Sequence, residues 1–489
     1  MPFNGPGLID SWIRDLRDSN DPDKAEPHDK FDPTHLKTLS TIHALTIGTG
    51  HGIFSHVLPF VETAQSEVIF VTCFWARSSS LDQLSRCLQS LSHKGEQQRT
   101  KIRVRICLSS VSALQKVFHT SSQSGHTYPS SQWEQKFGIP SPEKLGGLDL
   151  EIKSVFIRPF SVMHPKFIII DRKHICLPSC NVSWENWFEG SIHVSGPIVH
   201  HFLRFYSEFW ATSKDRESLI LPTSQDDTRN WSNPTIFDSC TFLHDALQPS
   251  LDRPSPANLG FRVFPLNFTS VQSVFLLSPH HVNPRFRPLP WQETAPPPPT
   301  PLNTFLLHAF RNAKSTIYVQ TPNVTSPPVL KELLIALERG VDVHILTSER
   351  LMILEQLVTA GTTTSRCMKK LKKDYQKLAQ QTRLQAVDEE QGLGRSMGKL
   401  KVEFFVKATL NNSCEFEPEP VQSHLKLTII DDECIIFGSG NMDRASWYTS
   451  QELGVAFTSQ ALVKMTRKEL AQCLDSRTQL HFDSSKADA

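Results

Sequence analysis

The sequence has no long apolar run and no large excess of charge. No stretch approaches eighteen consecutive apolar residues, which is about the length that a helix needs to cross a bilayer. The first fifteen residues lack a basic start followed by an apolar core, so no secretory signal is expected. The net charge of +1 excludes a strong whole-molecule field toward nucleic acid or membrane. These absences predict an intracellular protein, cytoplasmic or peripheral to a membrane.

The chain is too long, at 489 residues, for one ordinary core. Its 33 prolines include the run 296–299, which neither a helix nor a central strand can accommodate. The predicted organisation is a loose N-terminal arm, a first domain, a connection with the Pro-rich linker, a second domain and a flexible tail. These segments span 1–40, 41–235, 236–302, 303–476 and 477–489.

The two predicted domains share one order of elements. Residues 64–71 resemble residues 313–319, each with a helix end followed by an apolar strand. A helix-like spacing of leucines comes next in both halves, followed by strands at 102–106 and 341–346. Strand, helix and strand at this spacing predict βαβ units. The expected fold class is therefore α/β, with two similar domains that form a pseudo-dimer and have mostly parallel central sheets.

A His-x-Lys-x4-Asp motif occurs once in each half. The two copies are His164, Lys166 and Asp171, and His424, Lys426 and Asp431. The spacing that separates the two copies also separates Ser179 from Ser439 and Asn181 from Asn441. Further along, Glu189 corresponds to Glu452, and there the spacing is three residues longer.

Each motif places an imidazole and an ammonium group on one face of a strand, because residues i and i+2 point the same way. Phosphodiester cleavage needs a nucleophile, an acid for the leaving oxygen and positive charge on the other phosphate oxygens. One half supplies one imidazole, whereas two facing halves supply two imidazoles, two ammonium groups and two amides. The sequence thus predicts one shared site that needs no metal and no cofactor.

The paired motifs resemble the HKD motifs of the phospholipase D superfamily. The second copy continues through residues 438–446, which resemble the extension found in bacterial cardiolipin synthase-type members, with Arg444 one position early. The first half reads Pro178-Ser179-Cys180-Asn181, where the family usually has glycine.

The resemblance implies a role for each matched residue. His164 would attack phosphorus and form a phosphohistidine, and His424 would be the acid. Lys166, Lys426, Asn181 and Asn441 would bind phosphate. Glu189 and Glu452 would orient the histidines, with Ser179 and Ser439 beside them. Asp171 and Asp431 would hold local loops.

Three functions remain open at this point. The first is phospholipase D activity or phosphatidyl transfer, as in cardiolipin synthases, on glycerophospholipids at a membrane surface, by a chain that works as a monomer. The second is a nuclease or nucleic-acid end-processing phosphodiesterase, with nucleic acid as the substrate. The third is a phosphate-binding scaffold without turnover. The intact set of His, Lys, Asn and Glu in both halves favours an enzyme.

Some other features have more than one interpretation. His174, Cys176 and Cys180 have metal-like spacing, but the repeat aligns the cysteines with Ile436 and Gly440, which indicates small core residues. A basic run between residues 366 and 377 is either a solvated helix face or a surface for anionic lipid or nucleic acid. Aromatic residues at 74–75, 184 and 187 either pack in the core or line a pocket.

Overall fold

The computed structural model of the chain describes residues 7–19, 33–111, 125–157, 161–212, 215, 261–279, 296–388, 396–408 and 419–486. In chain order, the α-helices of this part are α1 (Leu8–Ser19), α2 (Gly50–Val61), α3 (Ser79–Gln98), α4 (Ile198–Phe209), α5 (Pro301–Asn312), α6 (Pro327–Glu338), α7 (Ile353–Ala360), α8 (Thr364–Asp388), α9 (Arg444–Tyr448) and α10 (Gln460–Cys473). The strands are β1 (Lys37–Gly48), β2 (Glu67–Phe74), β3 (Ile102–Ser110), β4 (His126–Tyr128), β5 (Leu148–Ser154), β6 (Phe156–Ile157), β7 (Ser161–Val162), β8 (Phe167–Ile170), β9 (His174–Pro178), β10 (Trp187–Ser195), β11 (Arg262–Ser278), β12 (Thr316–Thr321), β13 (Asp342–Thr347), β14 (Leu400–Phe405), β15 (Gln422–Ser423), β16 (Leu427–Ile430), β17 (Cys434–Gly438), β18 (Glu452–Thr458) and β19 (Thr478–Asp483).

The chain forms a mixed α/β structure around one large sheet, and the two halves share a local strand plan. β2 pairs in parallel with β3 and antiparallel with β8. In the same way, β12 pairs in parallel with β13 and antiparallel with β16. Each plan then continues as an antiparallel meander, β8–β9–β10 in the first half and β16–β17–β18 in the second.

The expected predominance of parallel strands is not found among the described residues. The strand–helix–strand units are parallel, as their long crossovers require. The motif strands and those after them are joined by short hairpins, which force antiparallel pairing. Strand β11 adds two further antiparallel pairs, one with β1 and one with β18. The sheet is therefore mostly antiparallel.

Strand β11 lies inside the stretch 236–302 that the sequence suggested as a connection. Its first part pairs with residues 37–47 of β1, and its residues 272–278 pair with β18. The strand thus contacts both halves. Most of the Pro-rich linker, residues 280–295, lies outside the described residues.

The chain ends differ from the predicted loose arm and flexible tail. Helix α1 buries Trp12, whose ring meets Phe305 of α5 edge-on at 5.2 Å between centroids. The Trp12 Nε1 donates a hydrogen bond to Thr304 Oγ1 at 3.1 Å. The apolar residues Ile9, Trp12, Ile13 and Leu16 recur at helical spacing and form the buried face of α1. The polar composition of residues 1–40 had outweighed this spacing in the prediction of a loose arm. At the other end, β19 pairs with β14.

None of the helices described here is both long and apolar enough to span a bilayer.

Candidate active site

The two motif strands lie at matching places in the sheet. β8 lies between β2 and β9, and β16 lies between β12 and β17. Every residue of both strands is buried, as the apolar, largely β-branched sequences favour. These rigid strands fix the positions of His164 and His424, which precede them.

Each motif aspartate ties its strand to the start of a neighbouring strand. Asp171 accepts hydrogen bonds from the backbone N–H groups of residues 65–67 at 2.8–2.9 Å. Asp431 does the same with residues 314–316 at 2.8–3.0 Å. Both aspartates have positive φ, 48° and 54°, and so does the residue after each. Two consecutive left-handed residues are typical of a tight hairpin turn.

The histidines pair with glutamates from the opposite half. His164 Nδ1 lies 2.9 Å from Glu452 Oε2. His424 Nδ1 lies 2.7 Å from Glu189 Oε1. The sequence had matched each glutamate to its own repeat and did not specify the partner. The two motifs therefore meet at one place, and each pair contains one residue from each half.

Each of the two glutamates accepts a hydrogen bond from a serine hydroxyl. Ser439 Oγ donates to Glu452 Oε2 at 2.5 Å and accepts from Leu453 N at 3.0 Å. Ser179 Oγ likewise donates to Glu189 Oε2 and accepts from Gly190 N. These contacts fix the rotamers of both carboxylates.

The surroundings set the charge of each pair. Burial alone would raise the pKa of Glu189, but the charge and hydrogen bond of His424 hold it below its ordinary value. Burial lowers the pKa of His424 to about 3, against the opposing effect of Glu189. His164 and Glu452 show the same directions for the same reasons. At neutral pH both carboxylates are ionised and both imidazoles neutral. Because a carboxylate only accepts, Nδ1 carries the ring proton and Nε2 keeps its lone pair.

The motif lysines are buried beside the histidines. Lys166 Nζ donates to the carbonyl oxygen of His164 at 2.9 Å, and Lys426 Nζ donates to that of His424 at 2.6 Å. Burial, reinforced by the neighbouring Lys166 charge, lowers the pKa of Lys426 to about 7. A bound anion would favour the protonated amine.

The histidines open into a cavity of about 190 Å³. Asn181 and Asn441, the predicted phosphate-binding amides, line it with His164 and His424. Trp187 also lines it, and its ring lies 4.7 Å from that of His424 between centroids. Side chains from both halves therefore surround one space.

The two asparagines differ in their contacts. Asn181 Oδ1 accepts from Phe74 N at 3.2 Å, so its amide nitrogen is not used in that bond. Asn441 Nδ2 donates to Asp443 Oδ2 at 3.0 Å, and its buried Oδ1 has no hydrogen-bond partner among the residues that the structure describes. The site is thus asymmetric at these positions.

Three acidic residues that line the cavity, Glu185, Glu355 and Asp443, were not among the sequence predictions. Asp443 also caps α9 by accepting from Ser446 N at 2.8 Å, and burial raises its pKa. Its position two residues after Asn441 was a usable signal. Glu355 comes from α7, far from either motif in sequence, and no pattern indicated it.

Helix α9 accounts for the three-residue slip between the repeats. It lies between Asn441 and Glu452, whereas Asn181 reaches Glu189 through a shorter segment without a helix. Both routes nonetheless end with a glutamate next to an imidazole.

Among the other sequence candidates, Phe74 lines the cavity and Trp75 is buried. Cys176 and Cys180 are buried, and burial raises both pKa values, as small core residues would show. The basic run lies on α8, where Lys370 pairs with Asp374 at 2.5 Å and Lys372 lies over the Phe482 ring. Trp184 is 66% exposed.

Comparison with known proteins identifies one part of the chain by sequence. Residues 306–474 match the family model described as the cardiolipin synthase, phospholipase D-like domain. No curated protein sequence matches significantly.

Solved structures give a likeness over nearly the whole chain. Phosphatidylserine synthase from Haemophilus influenzae Rd KW20 is similar at a TM-score of 0.51 and 12% identity, over 97% of this chain and 92% of that chain. The phospholipase D family member Nuc from Salmonella typhimurium has a TM-score of 0.25 and 19% identity, over 37% of this chain and 91% of that chain. At so low an identity the first likeness concerns the fold alone. Residues 306–474 are thus similar to the phospholipase D-like domain of cardiolipin synthases, and the structural likeness shows a fold shared with a phosphatidylserine synthase over nearly the whole chain.

Proposed function

We propose that the chain is a metal-independent phosphodiesterase or phosphatidyltransferase that acts on glycerophospholipids through a phosphohistidine. The observation that carries this proposal is the pair of His–Glu contacts, His164–Glu452 and His424–Glu189, on one cavity. Each contact leaves an imidazole Nε2 available for bonding to substrate. Two such groups are what attack and leaving-group protonation require.

The first step forms a P–N bond and breaks a P–O bond. His164 Nε2 attacks phosphorus, and the departing alkoxide takes a proton from His424 Nε2. The negative charge of the bound phosphodiester favours the protonated form of His424, which supplies that proton. Lys166 and Lys426 offset the charge on the non-bridging oxygens.

The second step regenerates the enzyme. His424, now neutral, takes a proton from water or from an alcohol, whose oxygen attacks the phosphohistidine. The P–N bond then breaks, and His164 returns to its neutral form. Water as acceptor gives hydrolysis, and an alcohol gives phosphatidyl transfer.

The assignment of His164 as nucleophile draws support from access. Its side chain is 16% exposed, while that of His424 is 3% exposed. Trp187 lies against the His424 ring and restricts approach from that side. An attacking group must reach phosphorus directly, whereas an acid needs only one proton-transfer contact.

A lipid substrate is favoured by apolar side chains near the cavity. Helix α7 exposes Leu354, Leu357 and Val358 by 77%, 40% and 51%, and its Glu355 lines the cavity. From the first half, Trp184 is 66% exposed beside the cavity-lining Glu185. We call Trp184, Ile353, Leu354, Leu357 and Val358 the apolar rim. Exposed apolar clusters mark contact surfaces, and this one suits the acyl region of a membrane.

The charge of the cavity wall also separates the two substrate classes. Glu185, Glu355 and Asp443 line the cavity, and acidic side chains suit a strand of successive phosphates less well than the basic grooves that bind nucleic acid. A single phospholipid brings one phosphodiester to the histidines.

The proposal includes the finer architecture. The halves 41–235 and 303–476 are proposed to be two similar domains that face one another as a pseudo-dimer. The matched strand plans and the exchanged His–Glu partners support this view. A monomer then suffices, because one chain supplies both halves of the site.

The deciding experiment measures phosphodiester turnover by the purified protein in excess chelator. One sample receives phosphatidylglycerol or phosphatidylcholine vesicles, and the other receives single-stranded DNA. We expect lipid turnover that disappears in His164→Ala and in His424→Ala. His126→Gln, which changes an exposed histidine on β4, is the matched control.

Other outcomes would redirect the proposal. Turnover of DNA alone would support the nuclease alternative. Vesicle binding without turnover would support a scaffold. Loss of activity in chelator, with no loss of folded protein, would contradict a metal-independent mechanism.

A further inference from the structure

Three histidines from different strands meet away from the proposed catalytic cavity. His43 lies on β1, His174 begins β9 and His193 lies on β10. One ring nitrogen of each lies within 4.8 Å of those of the other two. The centroids of the His43 and His193 rings are 4.6 Å apart, and His174 Nδ1 lies 3.1 Å from His193 Nε2. We call these three residues the histidine cluster.

A β-bulge lies at His43. Ile42 of β1 is opposite Val194 of β10 and Ala44 is opposite His193, so His43 is an extra residue in that pairing. In a bulge two residues of one strand oppose one residue of its partner. Because opposed residues of an antiparallel pair point to the same face, His43 lies on the face of the sheet that carries His193.

The surroundings suit a ligand set. Among the described residues, these imidazoles contact one another, the Ser195 hydroxyl at 2.7 Å from His43 Nε2, and the Phe60 ring of α2. The Phe60 centroid lies 4.5 Å from that of His193 and limits access of water on that side. Imidazole nitrogens are common ligands of divalent transition metals.

We propose that His43, His174 and His193 form a binding site for a divalent transition metal, with Zn²⁺ as the first candidate. Three imidazole nitrogens with a fourth position for water are a recurrent zinc coordination set. Zn–N bonds of about 2.1 Å place tetrahedral ligands roughly 3.4 Å apart. The cluster reaches that geometry if its rings approach by an ångström or so.

The sequence did not reveal this site. It paired His174 with Cys176 and Cys180, which are nearest in sequence, and that set indicated core residues. The actual neighbours of His174 are His43, far earlier in the chain, and His193, on the next strand. They come together only through β1–β10 and β9–β10 pairing.

Position along β10 suggests what the metal does. His193 and Glu189 lie four residues apart, so they share a face of this strand, about 13 Å apart. A metal that joins β1, β9 and β10 would hold the strand that carries Glu189. Its main effect is therefore expected on thermal stability, and this inference does not depend on the proposed reaction.

The test uses the full-length protein, stripped with chelator, then dialysed and titrated with Co²⁺ and Zn²⁺. We expect one equivalent of Co²⁺ to bind with the visible absorption of a four-coordinate site, and Zn²⁺ to displace it. The same Zn²⁺ should raise Tm by a few degrees, because it binds the folded state. His43→Gln and His174→Gln should lose both effects, whereas His126→Gln should keep both.

The variants are compared only after circular dichroism shows a folded chain. His43 and His174 are both partly exposed, so a glutamine at either position should be better tolerated than one at the buried His193. Failure of the stripped wild-type protein to bind either metal at micromolar concentration would overturn the proposal and leave a hydrogen-bonded cluster of neutral imidazoles. Retention of the full equivalent in both His43→Gln and His174→Gln would overturn it as well, and would place the metal elsewhere.

Discussion

Glu189 accepts a hydrogen bond from His424, a residue 235 positions further along the chain, at 2.7 Å. Both side chains are 3% exposed. The contact keeps a proton on Nδ1, so Nε2 is the ring atom of His424 that can gain and donate a proton in the proposed reaction.

Glu189→Gln should therefore lower kcat by about 10²–10⁴-fold, because an amide donor next to Nδ1 favours the wrong tautomer. Glu452→Gln should act similarly through His164. The pH profile of kcat separates this from simple misfolding, since the ascending limb should move in both variants. An unchanged kcat in either variant would show that the carboxylate does not orient the ring. Glu433→Gln, on an exposed hairpin turn, is a matched control.

The roles of the two histidines can be separated with leaving groups. A p-nitrophenyl phosphodiester leaves without protonation, so it needs a nucleophile but little acid catalysis. If His424 is the acid, His424→Ala should retain much more activity on this substrate than on a phospholipid. His164→Ala should remain inactive on both. The reverse pattern would exchange the two assignments.

The apolar rim gives a prediction about membranes. The triple variant Leu354→Ser, Leu357→Ser and Val358→Ser should bind phospholipid vesicles about 10- to 100-fold more weakly, because apolar area that enters the bilayer is lost. Turnover of a short-chain lipid below its micelle concentration should not change. Leu480→Ser, which alters an exposed leucine on β19, is the control. Equal vesicle binding by the triple variant would show that another surface meets the lipid.

The motif aspartates predict a stability effect that is separable from catalysis. Asp171→Asn replaces an acceptor oxygen with an N–H donor that faces the N–H groups of residues 65–67. We expect the free energy of unfolding to fall by about 1–3 kcal/mol. Denaturant titration measures this value, and Asp475→Asn, at an exposed turn position, tests for nonspecific effects. A change below about 0.5 kcal/mol, the size of an ordinary surface substitution, would show that the hydrogen bonds to Asp171 do not stabilise the fold.

Buried neutral imidazoles make the fold sensitive to acid. Burial lowers the pKa of His201 to about 4 and that of His424 to about 3, whereas an unfolded histidine titrates near 6.5. Between pH 6.5 and 4 the unfolded chain binds more protons than the folded one, so stability falls as pH falls. The expected slope is about 1 kcal/mol per pH unit for each such histidine.

Unfolding measured from pH 7.5 to pH 4.5 checks this slope. In His201→Gln the slope of the unfolding free energy against pH should fall by about 1 kcal/mol per pH unit, the contribution of one histidine. His126→Gln should leave this slope unchanged. A slope that is the same in wild type and His201→Gln would mean that this imidazole is charged in the folded state.

The sequence revealed the motifs but not how they are paired. The constant offset between the repeats located His164 and His424, and the buried strands after them follow from their apolar runs. Alternation and spacing do not encode strand direction, so the expectation of parallel sheets was wrong where short hairpins join the strands. The exchange of Glu189 and Glu452 was also invisible, because a contact between residues so far apart in the chain leaves no local pattern.

The ends of the chain illustrate a second reason why some features could not be predicted from the sequence. Helix α1 lies in a polar, Asp-rich segment, and average composition outweighed the helical spacing around Trp12. Glu355 of the cavity wall and His43 of the histidine cluster depend on tertiary placement alone. For His43 the cause is the pairing of β1 with β10, two strands far apart in the sequence.

Strand β11 and the exchanged glutamates also determine at which stage of synthesis the sheet and the proposed site can form. A ribosome that has completed the first motif has produced His164 without Glu452, which comes 288 residues later. Strand β1 likewise lacks its β11 partner until residue 262 and beyond has been synthesised. A nascent or truncated chain therefore lacks the carboxylate that contacts His164, and the proposed active site is complete only when the second motif and Glu452 have left the ribosome.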